Sequence, residues 1–111
     1  MVVMTLREVC NMVGVTRRAV QCYEQEELVS STGKNKYGYL LYDEEAVMRI
    51  KEVKMYQDFG FALKDIKVLF ASSEEEYMEL MSKKLGEMKK QLIELEANVI
   101  RIEELIADKQ K

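Results

Sequence analysis

The sequence SEEEYMELMSKKLGEMKKQLIELEANVIRIEELIADKQK, residues 73–111, places apolar residues at alternating steps of three and four without a miss. This spacing is an a/d heptad seam, which predicts one long helix that packs along a narrow stripe. Ser73 and Glu76 form a capping box at its start, and Gly86, at an outward position, should cost about 1 kcal/mol. The seam residues are Met78, Met81, Leu85, Met88, Leu92, Leu95, Val99, Ile102 and Ile106.

Such a narrow apolar stripe leaves two interpretations open. The helix could lie along its own domain, or it could pair with a second copy in a two-stranded coiled coil. The second interpretation is favoured, because an isolated helix has no other surface against which to bury an unbroken seam. We therefore expect a homodimer built on this seam.

The charges that flank the seam bear on the direction of pairing. In a parallel pair, Lys84 would face Lys89 of the other chain, which is repulsive. In an antiparallel pair, Lys89 can instead meet Glu96 or Glu103. Surface ion pairs contribute only about 0–1 kcal/mol each, so these charges favour an antiparallel coil without proving it.

Length and charge divide the chain into two parts. Its 111 residues have room for one small domain, residues 1–72, followed by the long helix, residues 73–111. The first 71 residues contain ten basic and ten acidic residues, so the net charge of −3 belongs to the helix. No apolar run is long enough to span a bilayer and no signal peptide is visible, so we expect a cytoplasmic protein without membrane contact.

The cysteines and the missing histidines argue against metal or catalytic chemistry. Cys10 and Cys22 are the two cysteines of the chain, which contains no histidine. Two cysteines without a partner histidine are typical of a protein kept in a reducing compartment, with no metal site and no catalytic pair. We expect no cofactor and no enzymatic activity, and we interpret Cys10 as a small residue at a helix crossing.

Two short helices are predicted near the start of the chain. Thr5 and Glu8 form a capping box for the first helix, which Gly14 ends. Thr16 can cap a second helix that runs to about Glu27. Two helices joined by a tight glycine turn form a helix-turn-helix.

The second helix carries Arg17 and Arg18 in its first turn. Cations there oppose the helix dipole, which is understandable if they meet DNA phosphates or base edges. Arginine is well suited to contact guanine in the major groove. The alternative is that both are ordinary solvated arginines.

A hairpin and two further helices are predicted next. Leu28–Val29 and residues 39–42 are predicted to form short strands around a turn-rich tip, in which Lys34, Lys36 and Tyr37 suit contact with a sugar-phosphate backbone. Asp43 should cap a third helix that ends at Gly60. A fourth helix follows, with inward-facing positions at Leu63, Ile66, Leu69 and Phe70.

The order of these motifs resembles the MerR family of bacterial transcriptional regulators. The resemblance rests on the helix-turn-helix, Tyr23-Glu24, the segment GYLLY at 38–42, the segment GFALKDI at 60–66, and the final coil. It implies a mainly α fold: a winged helix-turn-helix domain with a small β-hairpin wing, followed by a long C-terminal helix that forms an antiparallel coiled-coil dimer. The chain would be a short member, or a fragment, without an effector-binding domain.

This sequence departs from the family pattern at three places. Gln21-Cys22-Tyr23 stands where the family has Arg-Tyr-Tyr, Leu40 replaces an arginine in the wing, and Ala62 replaces a capping serine. DNA binding would then depend on the remaining basic residues, Arg17, Arg18, Lys34 and Lys36. The expected DNA contacts are Arg17, Arg18, Gln21, Tyr23, Lys34, Lys36, Tyr37 and Tyr39.

The resemblance implies a regulator that binds a near-palindromic promoter site in double-stranded DNA as a homodimer and distorts it, with RNA polymerase as a possible partner at the promoter. Two other functions stay open. The chain could be an adaptor for phage packaging or recombination that holds DNA for a partner. It could also be a protein-interaction module with a weakened DNA surface, as Gln21, Cys22 and Leu40 suggest.

Overall fold

A computed structural model describes residues 3–111 of the chain. Two compact units are present, the first ending at Ala71 and the second comprising Ser72–Lys111. We call residues 3–71 the head. The head contains β1 (Met4–Thr5), α1 (Leu6–Val13), α2 (Arg17–Gln25), β2 (Gly33–Lys34), β3 (Leu40–Tyr42), α3 (Glu44–Asp58) and α4 (Leu63–Ala71), and the second unit contains α5 (Glu74–Lys109).

The predicted mainly α fold with a small β-hairpin wing and a long C-terminal helix is confirmed. The side chains of Thr5, Thr16, Asp43 and Ser73 each accept a hydrogen bond from the backbone N–H three residues on. Such caps satisfy backbone donors that a helix leaves free in its first turn. Gly14 ends α1 with a φ of 80°, a left-handed conformation that glycine adopts without strain.

The sheet of the head has three antiparallel strands in the order β1-β3-β2. Met4 pairs with Tyr42, and Gly33 pairs with Leu41 on the other side of β3. The prediction that Leu28–Val29 forms a strand is wrong, and Tyr39 also lies outside β3. Leu28 and Val29 are buried in the core, so their apolar character serves packing rather than the hairpin.

The segment that follows α2 is a Schellman motif closed by a residue other than glycine. The N–H of Leu28 donates to the carbonyl of Tyr23 at 2.9 Å, and the N–H of Glu27 donates to the carbonyl of Glu24 at 3.0 Å. Glu27 lies between these bonds with a φ of 61°. The helix therefore ends at Gln25, two residues earlier than predicted, and the chain turns so that Leu28 enters the core.

The core of the head is organised around α3. Val47, Ile50 and Val53 are buried along one side of α3, and Tyr56 packs edge-on against three phenylalanine rings at centroid distances of 5.9–6.2 Å. The Arg49 guanidinium lies 3.4 Å from the centre of the Phe70 ring of α4. Its Nε also donates to the carbonyl of Leu28 at 3.2 Å, which ties the segment after α2 to α3.

The second unit is a single helix without a buried residue. α5 spans 36 residues, about 54 Å at 1.5 Å per residue. Most of the seam side chains are exposed, including Leu92 at 55 % and Leu95 at 61 %. Within residues 3–111, no helix is both long and apolar enough to cross a membrane.

The left-handed conformation of Glu27 generates a stability prediction. A side chain in this region costs about 1–2 kcal/mol, which glycine avoids at the expense of some unfolded-state entropy. We expect Glu27→Gly to raise the free energy of unfolding by about 0.5–1 kcal/mol in urea denaturation at fixed protein concentration.

The matched control is Glu27→Ala, which removes the carboxylate but keeps the Cβ atom. The only ion pair of Glu27 in the described residues is a 3.9 Å contact with Lys67 at an exposed site, so its loss should matter little. A glycine variant no more stable than the alanine variant would contradict the strain that we assign to Glu27.

Candidate nucleic-acid interface

The exposed side of α2 carries three polar side chains within reach of one another along the helix. Arg17, Arg18 and Gln21 are all exposed, and Gln21 lies one turn after both arginines. The opposite side of α2 is fixed, because Val20 and Tyr23 are buried at 0 % and 1 % exposure. We call Arg17, Arg18 and Gln21 the α2 face. It is held rigidly by the core while its side chains remain free to contact another molecule.

The wing, residues 33–42, presents its basic and aromatic side chains at an ordered tip. The Asn35 side chain accepts hydrogen bonds from the N–H groups of Tyr37 and Tyr39 at 2.9 and 3.0 Å. The N–H of Gly38 donates to the Asn35 carbonyl at 3.0 Å, and Gly38 has a φ of 83°. These bonds organise the turn locally, so the tip does not depend on packing against the core.

The predicted wing contacts are all on the surface. Lys34, Lys36, Tyr37 and Tyr39 are exposed, the two tyrosines at 71 % and 64 %. The Lys36 ammonium lies 5.1 Å from the centre of the Tyr37 ring, within the range of a cation–π contact. The tip therefore presents cations together with phenol hydroxyl groups.

Charge is segregated between two depressions on the head. The first, the basic notch, has a volume of about 410 Å³ and is lined by residues 5–7, Arg17 and residues 38–40. The second, the acidic groove, has a volume of about 620 Å³ and its lining includes Glu27, Asp43, Glu45 and Glu52. The equal numbers of basic and acidic residues in the head thus conceal a surface of uneven charge, and the notch joins the α2 face to the wing.

The prediction that Tyr23 contacts DNA does not agree with its position in the core. It is 1 % exposed, and its hydroxyl donates to Gln57 Oε1 at 2.6 Å. Burial, followed by the charges of Asp58 and Cys22, raises the pKa of the Tyr23 phenol. A direct contact with DNA would require the ring to leave the core, so we assign Tyr23 to positioning α2 against α3.

Tyr42 makes a second link between α2 and the rest of the head. Its ring is fully buried in β3, and its hydroxyl donates to Glu24 Oε1 at 2.5 Å. Burial and the hydrogen bond to Glu24 raise the pKa of the Tyr42 phenol well above its ordinary value. The sheet and the second helix are therefore joined by a protonated phenol.

Two residues with roles at this surface were absent from the sequence prediction. Asn35 shapes the wing tip through its side-chain amide, a role that an asparagine in a turn-rich segment shortly before Gly38 could have indicated. Arg7 lines the basic notch from α1. Its role depends on three separate segments meeting, for which no local sequence signal exists.

The other predicted residues lie as follows. Cys10 and Cys22 are partly buried free thiols. Within residues 3–111, no group of three or more His, Cys, Asp and Glu side chains could hold a metal ion. The predicted dimerisation residues all lie on α5, where Met81 is partly exposed and the other eight are exposed.

Comparison with known proteins matches residues 4–73 to the model of the MerR HTH family of regulatory proteins. The chain belongs to this family. The matched range contains the α2 face, the wing and the basic notch. The resemblance drawn from the sequence motifs is therefore confirmed.

Among curated proteins, this MerR-family chain is similar to nodulation protein NolA of Bradyrhizobium sp. (strain NC92), with 28 % identity over 60 residues. The match covers 54 % of this chain and 25 % of NolA, so the chain spans about a quarter of the length of that relative.

Solved structures share the fold. A MerR-family transcriptional regulator from Bacillus cereus has a TM-score of 0.82 and 17 % identity, covering 99 % of this chain and 84 % of that chain. HiNmlR, a MerR-family regulator lacking the sensor domain, bound to promoter DNA, has a TM-score of 0.73 and 20 % identity, covering 88 % of this chain and 79 % of that chain.

The bond between Tyr42 and Glu24 predicts a specific dependence of stability on pH. The pKa of the phenol is higher in the folded than in the unfolded protein, so the folded protein holds the proton more tightly. Stability from this source is complete below the ordinary tyrosine pKa of 10.0 and falls as the pH rises above it. As the pH rises from about 9 to about 11, the free energy of unfolding should therefore fall less for Tyr42→Phe than for wild type.

Tyr37→Phe is the control, because Tyr37 is exposed and should leave the wild-type pH profile unchanged. At neutral pH, Tyr42→Phe should cost about 1–3 kcal/mol, because Glu24 loses its donor. Urea denaturation at each pH measures both effects. Parallel pH profiles for all three proteins would contradict the role assigned to Tyr42.

Proposed function

We propose that this chain is a DNA-binding transcriptional regulator that binds a near-palindromic promoter site as a homodimer and distorts the DNA between the half-sites. The observation that carries the proposal is the α2 face: two arginines and a glutamine exposed on a helix whose other side is locked in the core. The core fixes the helix, so these three side chains have a defined position from which to contact base edges. The MerR-family membership of the head supports the same function.

In this proposal α2 enters the major groove with Arg17 and Arg18 leading. The guanidinium group can make two hydrogen bonds to O6 and N7 of guanine, and glutamine can make two to adenine. Gln21 lies one turn further along α2, so it would reach a neighbouring base pair. Reading by these three side chains would supply sequence discrimination.

The wing would grip the sugar-phosphate backbone beside the groove. Lys34 and Lys36 supply positive charge, and Tyr37 and Tyr39 supply hydroxyl donors on an ordered turn. Contacts of this kind position a protein on DNA without reading its sequence. The acidic groove does not suit contact with DNA, so its carboxylates would face away from the phosphates.

Residues 1–72 would be the DNA-binding domain and residues 73–111 the dimerisation helix. Pairing of two copies along the seam would cover the apolar side chains that α5 leaves exposed. An antiparallel coil places Lys89 near Glu96 or Glu103 of the other copy and holds two heads apart. Each dimer would then contact two half-sites on one side of the duplex.

The family resemblance implies distortion of the DNA, and it makes RNA polymerase a possible partner at the promoter. A cytoplasmic location is proposed from the two free cysteines and from the lack of a signal peptide or bilayer-spanning run in the sequence. HiNmlR, which shares the fold, is described as bound to promoter DNA. A protein-interaction module with weakened DNA binding is the second candidate. One observation favours it: Leu40, which stands where the family has arginine, lines the notch, is partly buried and offers no charge.

The α2 face and the wing make separable predictions. Removing a base-reading arginine should cost about 1–3 kcal/mol on the specific site and relax the preference at one base pair. Removing a phosphate-contacting lysine should weaken all sequences alike and lower the slope of log K against log salt by about one. We expect Arg17→Ala or Arg18→Ala to lose discrimination, and Lys36→Ala to lose affinity only.

The measurement is fluorescence anisotropy on a specific and a scrambled duplex of equal length across a salt series. The specific site would first be found by selecting bound sequences from a random pool. If both arginine variants kept the full specific-to-scrambled ratio, α2 would not be the reader. Wild-type protein without preference for any sequence would favour the protein-interaction module.

The dimer is tested by a charge in the seam. Leu92→Asp would bury two carboxylates per dimer in an apolar contact, which costs several kcal/mol per charge. We expect dimerisation to weaken at least about 100-fold, so that sedimentation finds monomers at micromolar concentration.

Ile93→Asp is the matched control, because Ile93 is 67 % exposed on the same helix but lies outside the seam. The same charge there should leave the dimer intact. A monomeric wild type, or an equal effect of the two substitutions, would overturn pairing along the seam.

A further inference from the structure

We propose that the basic notch binds one backbone phosphate of the DNA. Arg7, which belongs to neither α2 nor the wing, would be the principal charged residue that contacts this phosphate. The proposal rests on the proposed function, because it names a phosphate site within the same interface. Its ligand class is a phosphodiester of double-stranded DNA. Arg7 lies in α1, in the first turn after the capping residue Thr5.

The two arginines of the notch have no partner within the head. Among residues 3–111, neither the Arg7 nor the Arg17 side chain forms an ion pair, a hydrogen bond or a ring contact. The neighbouring carboxylate, Glu8, is engaged elsewhere: its Oε1 accepts from the backbone N–H of Thr5 at 3.1 Å and from the Thr5 hydroxyl at 3.0 Å. Arg7 therefore keeps its charge and donors available.

The lining of the notch contains no acidic residue. Besides Arg7 and Arg17, the residues that line it are Thr5, Leu6, Gly38, Tyr39 and Leu40. Two cations that share a depression repel each other, and an anion bound between them offsets that repulsion. The Arg7 guanidinium can match the oxygens of a phosphate with two parallel hydrogen bonds, and the Tyr39 hydroxyl can add a donor. Arg17 adds positive charge at the rim, while its own hydrogen bonds go to a base edge. The chemistry of the notch therefore fits an anion with several oxygen acceptors.

The position of the notch selects DNA phosphate over a free anion. Arg17 belongs both to the notch and to the α2 face, so a phosphate bound there would adjoin the groove that α2 enters. Tyr39 and Gly38 bring the wing to the other rim. In helix-turn-helix proteins the first helix crosses the DNA backbone while the second lies in the groove, which is the arrangement that Arg7 on α1 and Arg17 on α2 would meet.

The test compares Arg7→Gln and Arg7→Lys with wild type in DNA binding across a salt series. Arg7→Gln should lower the slope of log K against log salt by about one and weaken specific and scrambled duplexes by the same factor. Arg7→Lys should keep the wild-type slope, because the charge remains. The control is Lys51→Gln, which removes an exposed positive charge from α3. Lys51 lines a different depression, together with Met12 and Val13 at the C-terminal end of α1. It should leave the slope unchanged.

A second measurement locates the phosphate. Neutral methylphosphonate groups replace the phosphates of the specific duplex one at a time. One position in each half-site should weaken wild type but leave Arg7→Gln unaffected, because that variant has already lost the contact. Circular dichroism should give the same melting temperature for Arg7→Gln and wild type, since Arg7 is exposed and unpaired.

The outcomes separate the site from the function. A wild type that binds a specific duplex, with an Arg7→Gln variant of equal slope, would overturn the notch and leave the proposed function intact. A wild type without DNA binding would overturn the function itself. If inorganic phosphate at constant ionic strength raised the melting temperature of wild type but not of Arg7→Gln, the notch would be a site for free phosphate. Weaker binding together with a lower melting temperature in Arg7→Gln would assign Arg7 to stability instead.

Discussion

The constraint on which the account depends is the apolar seam of α5. A helix of 36 residues without one buried residue has little to stabilise it, because most helical stability in proteins comes from packing an apolar face. The seam repeats over four heptads, and most of its side chains are largely exposed in the single chain. A second copy supplies the same seam in the same spacing, which makes self-pairing the simplest way to cover it. The spacing of two DNA-reading heads would then follow from how the helices pair.

In the proposed complex, the head would use this spacing for DNA recognition, because α2 is held in place by the core. The α2 face depends on the opposite side of the same helix, where Val20 and Tyr23 are buried and Tyr23 bonds Gln57 of α3. Glu24 adds a bond to Tyr42 of the sheet. The helix is thus bonded to both α3 and β3. Charge is distributed unevenly over the surface: the basic notch has two arginines and no carboxylate, and the acidic groove has four carboxylates and one arginine, Arg49.

Local signals in the sequence were sufficient for much of the fold. The capping residues Thr5, Thr16, Asp43 and Ser73 were all predicted, because each cap depends on a hydrogen bond between residues three apart. Errors arose where the answer depends on distant residues. Leu28–Val29 has the composition of a strand but packs into the core, and two-residue β1 exists only through pairing with β3.

The residues of the candidate site also fall into those that local sequence signals identify and those that depend on distant parts of the chain. The exposed charges of α2 and the wing follow from helix phase and turn composition, so Arg17, Arg18 and Lys36 could be identified from sequence. The sequence analysis assigned Tyr23 to the DNA-binding surface, whereas it lies in the core, because a tyrosine suits either environment. Arg7 was missed because the notch forms only when α1, α2 and the wing meet.

The antiparallel pairing of α5 is tested most directly by a distance between two copies. A spin label at Glu104, an exposed position outside the seam, would be introduced after Cys10 and Cys22 are replaced by serine. In an antiparallel coil centred on the seam, the two labels should lie on the order of 35–45 Å apart, given the rise of 1.5 Å per residue. A parallel coil keeps both labels at the same height and separates them by two helix widths, about 20 Å. A single distance near the longer value is the result that we predict, and a distance near 20 Å, or no dipolar coupling at all, would contradict the account.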